Sequence, residues 1–145
     1  MKKLFTYLLL ITCLLLPQYN TTPATPNYEI QYLENGDYII TEFYTTDAVL
    51  RTSISNFKKA TYYASDRTPI FAVTISASFN YTYGVRASAT SANAIVDIAN
   101  SSAVFKSKNS YVSGNTAYGT ATVSYQGSSK TLNVNISCDI YGNIS

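Results

Sequence analysis

Apolar and polar residues alternate with a period of two over much of this chain, the pattern of strands with one face buried and the other wet. The clearest run covers residues 71–79. Phe71, Val73, Ile75, Ala77 and Phe79 fall on one face, and Thr74, Ser76 and Ser78 on the other. Residues 117–125 and 130–138 form a second pair, joined by Gln126-Gly127-Ser128-Ser129, a short glycine-containing link suited to a hairpin. Ala117, Ala121, Val123 and Tyr125 share one face of that pair, as do Leu132, Val134, Ile136 and Cys138.

Further strands are expected at 48–54, 57–64, 85–92 and 103–112, with Ser113-Gly114-Asn115 as a turn. Asn35-Gly36 between 28–34 and 37–44 is a hairpin signal. A two-residue loop there sets Glu34 against Asp37 and Glu29 against Glu42, and each like-charge pair is mildly destabilising. No stretch after the leader sustains a helical period. About seven or eight short strands with regular turns define an all-β chain, read as an antiparallel β-sandwich with an immunoglobulin-like arrangement as the finer expectation and a barrel as the alternative.

The amino terminus follows a different rule. Lys2 and Lys3 precede an apolar run from Leu4 to Leu16 that ends at Pro17, with Thr22 and Ala24 as small residues before a cleavage point. This is the layout of a secretory signal peptide, and the run is too short to cross a bilayer of about 30 Å as a helix. The expected organisation is a signal helix at 1–24, a flexible or partly stranded leader at 25–36 and a β-sandwich domain at 37–145, so the protein is expected to be secreted. Cys13 sits in a loose lipoprotein-like context, but Thr12 stands where Gly, Ala or Ser is required and Leu14, Leu15 and Leu16 continue the apolar run, so lipid anchoring is set aside.

Removal of the leader changes the charge. Of ten Lys and Arg residues, Lys2 and Lys3 leave with it, so eight basic residues balance eight acidic ones. A neutral chain with no basic run is a poor partner for nucleic acid or an anionic membrane. Histidine is absent, which removes Ser-His and Cys-His catalysis and histidine-based zinc sites. No phosphate-binding loop, dinucleotide fingerprint, C-x-x-C or calcium loop occurs, so no cofactor is expected. Ser55-Asn56-Phe57-Lys58, Ser65-Asp66-Arg67 and Lys130-Thr131-Leu132 echo the three boxes of penicillin-recognising serine enzymes, but the second and third are wrong at their last residue and the chain is too short for that fold. Cys138, on the inward parity of its strand, is expected to be a buried, inert free thiol.

The stretches Arg51-Thr52-Ser53, Phe57-Lys58-Lys59-Ala60-Thr61, Phe79-Asn80-Tyr81, 113–122 and 138–145 together resemble a family of small secreted proteins of Gram-positive bacteria. The resemblance implies secretion and a compact β-domain, and it implies no catalytic residue. Relatives often carry a second cysteine after the F-x-Y stretch; here Val85-Arg86-Ala87-Ser88-Ala89 has none, which is consistent with an unpaired Cys138.

The functional expectation is a non-enzymatic secreted or cell-surface-associated binding domain, whose partner would be an extracellular protein or a cell-wall polysaccharide. Hydroxyl-bearing strand faces and tyrosines motivate it, because tyrosine gives contact area at low entropic cost. The candidate binding surface is Tyr62, Tyr63, Tyr81, Tyr83, Asp66 and Arg67. A secreted antagonist, a hydrolase inhibitor or toxin-like protein, is the alternative, acting through loops at 65–69 and 97–102. The last strand has no charge between Thr131 and Cys138 to guard an edge. It is therefore expected to lie in the middle of a sheet in a monomer, with an antiparallel dimer through it as the competing arrangement.

Overall fold

The computed structural model describes residues 27–44 and 53–145. The expected signal helix, Cys13 and positions 48–52 lie outside the described residues, and Ser53 and Ile54 open a longer strand. Strands β1 (Asn27–Tyr32), β2 (Tyr38–Phe43), β3 (Ser53–Tyr63), β4 (Pro69–Thr82) and β5 (Arg86–Ile98) make one antiparallel sheet in that order. A second antiparallel sheet contains β6 (Val104–Ser113), β7 (Thr116–Tyr125) and β8 (Ser128–Ser137). The chain is all-β, and its two sheets pack as a sandwich. Strands pair in chain order within each sheet, so both are meanders; the Greek-key crossing of an immunoglobulin-like arrangement is not among the described pairings.

Alternation places the core. Phe71, Val73, Ile75 and Phe79 of β4 are fully buried and face Ala117, Ala121 and Val123 of β7 and Leu132, Val134, Ile136 of β8, with Cys138 just beyond that strand. Burying each large apolar side chain stabilises the fold by roughly 1.5–3 kcal/mol. Gly119 lets the sheets approach closely, since a Cβ there would lie 3.2 Å from Cδ1 of Ile75.

The first hairpin forms, with a register that differs from the two-residue loop. Gly36 N–H donates to the Leu33 carbonyl at 3.0 Å and Leu33 N–H to the Asp37 carbonyl at 2.8 Å, with Gly36 in the left-handed region at φ 84°. This longer turn places Glu29 opposite Thr41 and Glu42 opposite Tyr28, which removes both like-charge pairs.

The last strand is not central. Among the described strands β8 pairs only with β7. Its apolar row is covered by β3 and β4 of the facing sheet, so flanking neighbours are not needed to bury it. On the opposite side β6 runs beside β5, and Lys108 Nζ and Ser110 Oγ donate to the carbonyls of Ala94 and Ala92 at 3.0 and 3.3 Å. One flank of the sandwich is thereby closed. On the other, the sheet of five strands extends past β8, and β1 and β2 project beyond it.

Candidate functional site

The outer face of the larger sheet, at the end where β3 turns into β4, carries a row of tyrosines. Register places Tyr32, Tyr38 and Tyr63 opposite one another on β1, β2 and β3. The Tyr38 and Tyr63 rings stack at 5.0 Å with 3° between planes, and Tyr32 tilts against Tyr38 at 6.0 Å. Parity puts Tyr28 and Ile30 of β1 on this same outer face, while Asn27, Glu29 and Gln31 point toward the side of the second sheet. The polarity of β1 is thus inverted relative to a core strand. Tyr28, Ile30 and Tyr32 are 70%, 40% and 76% exposed, so the apolar face of this strand is left to solvent.

Asp37, in the turn between β1 and β2, fixes the row from beneath. Its Oδ2 accepts from the Tyr62 hydroxyl at 2.7 Å, the Asn35 amide at 2.7 Å and Lys130 Nζ at 3.4 Å, and its Oδ1 accepts from Ser65 N–H at 3.1 Å. Burial alone would raise this carboxyl, but the Tyr62 and Asn35 hydrogen bonds and the Lys130 charge outweigh it and hold it below the usual range. Burial and the Asp37 carboxylate together push the Tyr62 phenol up. The cluster joins the β1–β2 turn, β3 and β8, and so locks Tyr38 and Tyr63, each next in sequence to a member of the cluster. Beside it lies a polar cleft of about 350 Å³ lined by Asn35, Asp37, Asp66, Gln126, Ser128 and Lys130 among others.

The same outer face continues along the strands into a groove of about 300 Å³ formed by Ser55, Phe57, Ser76, Ser78, Ser91 and Asn93. Its lining is hydroxyls, the asparagines Asn56 and Asn93, Ala77 and one half-exposed aromatic ring; no charged residue lines it. Within the groove Ser55 and Ser78 share a hydrogen bond of 3.1 Å, and on the smaller sheet Thr120 donates to Asn133 Oδ1 at 2.8 Å while Thr122 and Thr131 share one of 2.9 Å.

The six expected surface residues separate. Tyr63 belongs to the tyrosine row. Asp66 and Arg67 lie in the adjoining turn, where Thr68 N–H donates to Asp66 at 2.9 Å and lowers its carboxyl, and Arg67 occupies the left-handed region at φ 71°. Tyr62 and Tyr81 are core residues, 4% and 9% exposed, because their parity on β3 and β4 is that of Ala60 and Phe79. Gly142 seats against the Tyr81 ring; a Cβ there would come within 2.7 Å of it. Tyr83 is exposed at the opposite end of the sandwich, edge-on to Tyr141 at 5.3 Å. Tyr28 and Tyr32 were missed as site residues because 25–36 reads as a leader, although the alternation Tyr28, Ile30, Tyr32 was the available signal; Tyr38 lies in the expected strand 37–44, where only its register with Tyr32 and Tyr63 marks it. Cys138 is a free, fully buried thiol, raised by burial and by Asp139 beside it. Among the described residues no cluster of His, Cys, Asp or Glu is arranged to hold a metal ion.

These features describe a two-sheet β-domain with a tyrosine face. No protein-family model matches the chain, and no curated protein does. Among solved structures it is similar to a hypothetical protein of Listeria monocytogenes EGD-e, at 14% identity and a TM-score of 0.45, over 87% of this chain and 95% of that one.

Proposed function

We propose that this protein is a secreted, non-enzymatic binding domain that engages an uncharged extracellular polysaccharide, such as one of the cell wall, through the outer face of β1, β2 and β3. The observation that carries the reading is the inverted polarity of β1, whose Tyr28, Ile30 and Tyr32 side chains face solvent on a paired strand. A strand gains nothing from exposing three large apolar groups unless something covers them. The chemistry around them supports a sugar chain: stacked rings with phenolic edges and a neighbouring uncharged groove of hydroxyls and two asparagines offer apolar contact and hydrogen bonding together, with Glu42 and Lys59 facing each other beside Tyr28. Secretion rests on the leader at 1–24. Histidine is lacking, and the carboxylates of Asp37, Asp66 and Asp139 accept hydrogen bonds within their own turns and neighbouring strands, so the reading includes no catalytic step.

The test is sedimentation of the purified domain with insoluble cell-wall polysaccharide and with peptidoglycan, beside Tyr32→Ala and Tyr28→Ala variants. Each substitution removes an exposed ring, so melting should be unchanged while binding weakens by roughly 3- to 10-fold, the worth of one aromatic contact. Absence of binding to either polymer, or binding indifferent to both substitutions, refutes the proposal.

A further inference from the structure

Asn35 and Gly36 form the exposed tip of the first hairpin, and Asn35 is the only asparagine of the chain that precedes glycine. With no side chain on Gly36, nothing shields its backbone nitrogen from the Asn35 side-chain carbon, and the backbone turns freely into the geometry of attack. The closed turn keeps the two groups unreactive. Gly36 N–H donates to the Leu33 carbonyl at 3.0 Å, Asn35 Nδ2 donates to Asp37 Oδ2 at 2.7 Å, and Asp37 N–H donates to Asn35 Oδ1 at 3.2 Å. These bonds lie at the end of β1, which pairs only with β2 among the described strands and leaves its outer face in solvent. Local fraying releases Asn35 while Asp37 keeps its bonds to Tyr62, Ser65 and Lys130. Lys130 Nζ reaches the same Asp37 oxygen, but the Tyr62 hydroxyl and the Asp37 carboxylate hold it as an ammonium, which has no lone pair for attack.

The charges around Asn35 decide what its conversion does. Glu34 precedes it, Asp37 lies two residues on, and Asp66 lines the same cleft from the β3–β4 turn, with Arg67 following it there. Lys130 of β8 is the one cation lining the cleft, and Tyr62 of β3 points its hydroxyl at Asp37. A neutral amide at position 35 donates to Asp37, and a carboxylate cannot. Conversion would set two negative oxygens where Nδ2 and Oδ2 now lie 2.7 Å apart.

We propose that Asn35 is a site of spontaneous hydrolytic modification whose product unfastens the tyrosine end of the sandwich. The deprotonated Gly36 nitrogen attacks the Asn35 side-chain carbon and the new C–N bond closes a cyclic imide. The bond from that carbon to Nδ2 breaks, and the nitrogen leaves as ammonia after taking a proton from water. Water then opens the imide at either carbonyl. One opening leaves aspartate; the other leaves isoaspartate, with the main chain routed through the former side chain. The net change is amide plus water to acid plus ammonia, with no oxidant or reductant. Either product sets a carboxylate against Asp37, and isoaspartate also lengthens the backbone of the turn. The contacts of Asp37 with Tyr62 and Lys130 weaken, and with them the fixed positions of Tyr38 and Tyr63.

The test is storage of the purified protein in warm, mildly alkaline buffer, followed by peptide mapping in a mass spectrometer. Amide should be exchanged for acid at Asn35 ahead of Asn100 and Asn109, which precede serine. Asp37→Ala takes away the acceptor that holds the amide, so Asn35 should convert about 3- to 10-fold faster, the worth of one hydrogen bond. Gly142→Ala, which loosens the opposite end, should leave that rate unchanged. Asn35→Asp installs the first product directly and should melt about 5 °C below the parent at neutral pH. Repulsion acts only when both carboxyls are ionised. The deficit should therefore be full at neutral pH and close as pH falls below the ordinary carboxylate range near pH 4, where the protonated group again donates to Asp37. Four results would each overturn the proposal: Asn35 intact while Asn100 or Asn109 converts, no acceleration by Asp37→Ala, equal acceleration by Gly142→Ala, or an Asn35→Asp melting temperature that matches the parent or differs from it equally at every pH. If Asn35→Asp does not fold, converted parent protein, separated by ion exchange through its added charge, gives the same melting comparison.

Discussion

Replacing Asp37 tests how far one turn residue organises the tyrosine end of the sandwich. In Asp37→Ala the Tyr62 hydroxyl, 2.7 Å from Oδ2, loses its acceptor inside a buried environment, and the Ser65 amide and Lys130 ammonium lose theirs nearer the surface. A hydrogen bond to a charged group contributes about 1.5–3 kcal/mol, whereas the Lys130 pair, long and partly exposed, adds less than ~1 kcal/mol. The expected loss is about 2–3 kcal/mol, or roughly 10 °C in melting temperature for a domain of this size. Asp37→Asn keeps an acceptor for Tyr62 and should lose about half as much. The pH dependence gives a second readout. The folded state holds this carboxyl below its ordinary value, so its contribution is present in full above the ordinary carboxylate range near pH 4 and is lost as pH falls through the lower folded pKa. Asp66 and Asp139 are lowered as well but remain in both proteins, so the difference between parent and Asp37→Asn melting curves across the acid range isolates Asp37. Thermal melts followed by far-UV circular dichroism, at neutral pH and through acid, suffice. An Asp37→Ala melting temperature within a degree or two of the parent, or acid profiles that run parallel in parent and Asp37→Asn, would refute this account.

Other consequences are independent of that cluster. Cys138, fully buried with its thiol raised, should react with a disulfide reagent only on unfolding, so labelling in native buffer should be negligible and in denaturant complete. Gly119→Val should cost about 2–4 kcal/mol in chemical denaturation, because its branches would enter space held by Ile75 and Ala94 between the sheets. Gly142→Ala combines a φ of 84° with a Cβ driven into the Tyr81 ring and should destabilise by about 2–3 kcal/mol, with tyrosine near-UV signals changing around Tyr81.

Alternation determined most of the core, with Ile70, buried beside Phe71 at the start of β4, as a departure from it. Phe71, Val73, Ile75, Phe79, Ala121, Val123, Leu132, Val134, Ile136 and Cys138 all lie on the buried faces that period two assigns them, because the pleat sends successive side chains to opposite sides whatever the neighbouring strand is. The same parity separates Tyr62 from Tyr63 but does not say which of the two faces inward. Pairing of Tyr62 with buried Phe71, and of Tyr63 with Pro69 across a register shift, decided that, and it divided the expected tyrosine surface between core and exterior. The first hairpin was legible from Asn35-Gly36, yet its register was settled by a longer turn that keeps Glu29 and Glu42 apart. Strand order lay beyond the local pattern altogether. A period-two strand is equally satisfied with one neighbour or two, provided something covers its apolar face. Only the packing of a three-strand sheet on a five-strand one, offset toward β5, left β8 as an edge and β1 turned outward, and the second of these asymmetries creates the tyrosine face.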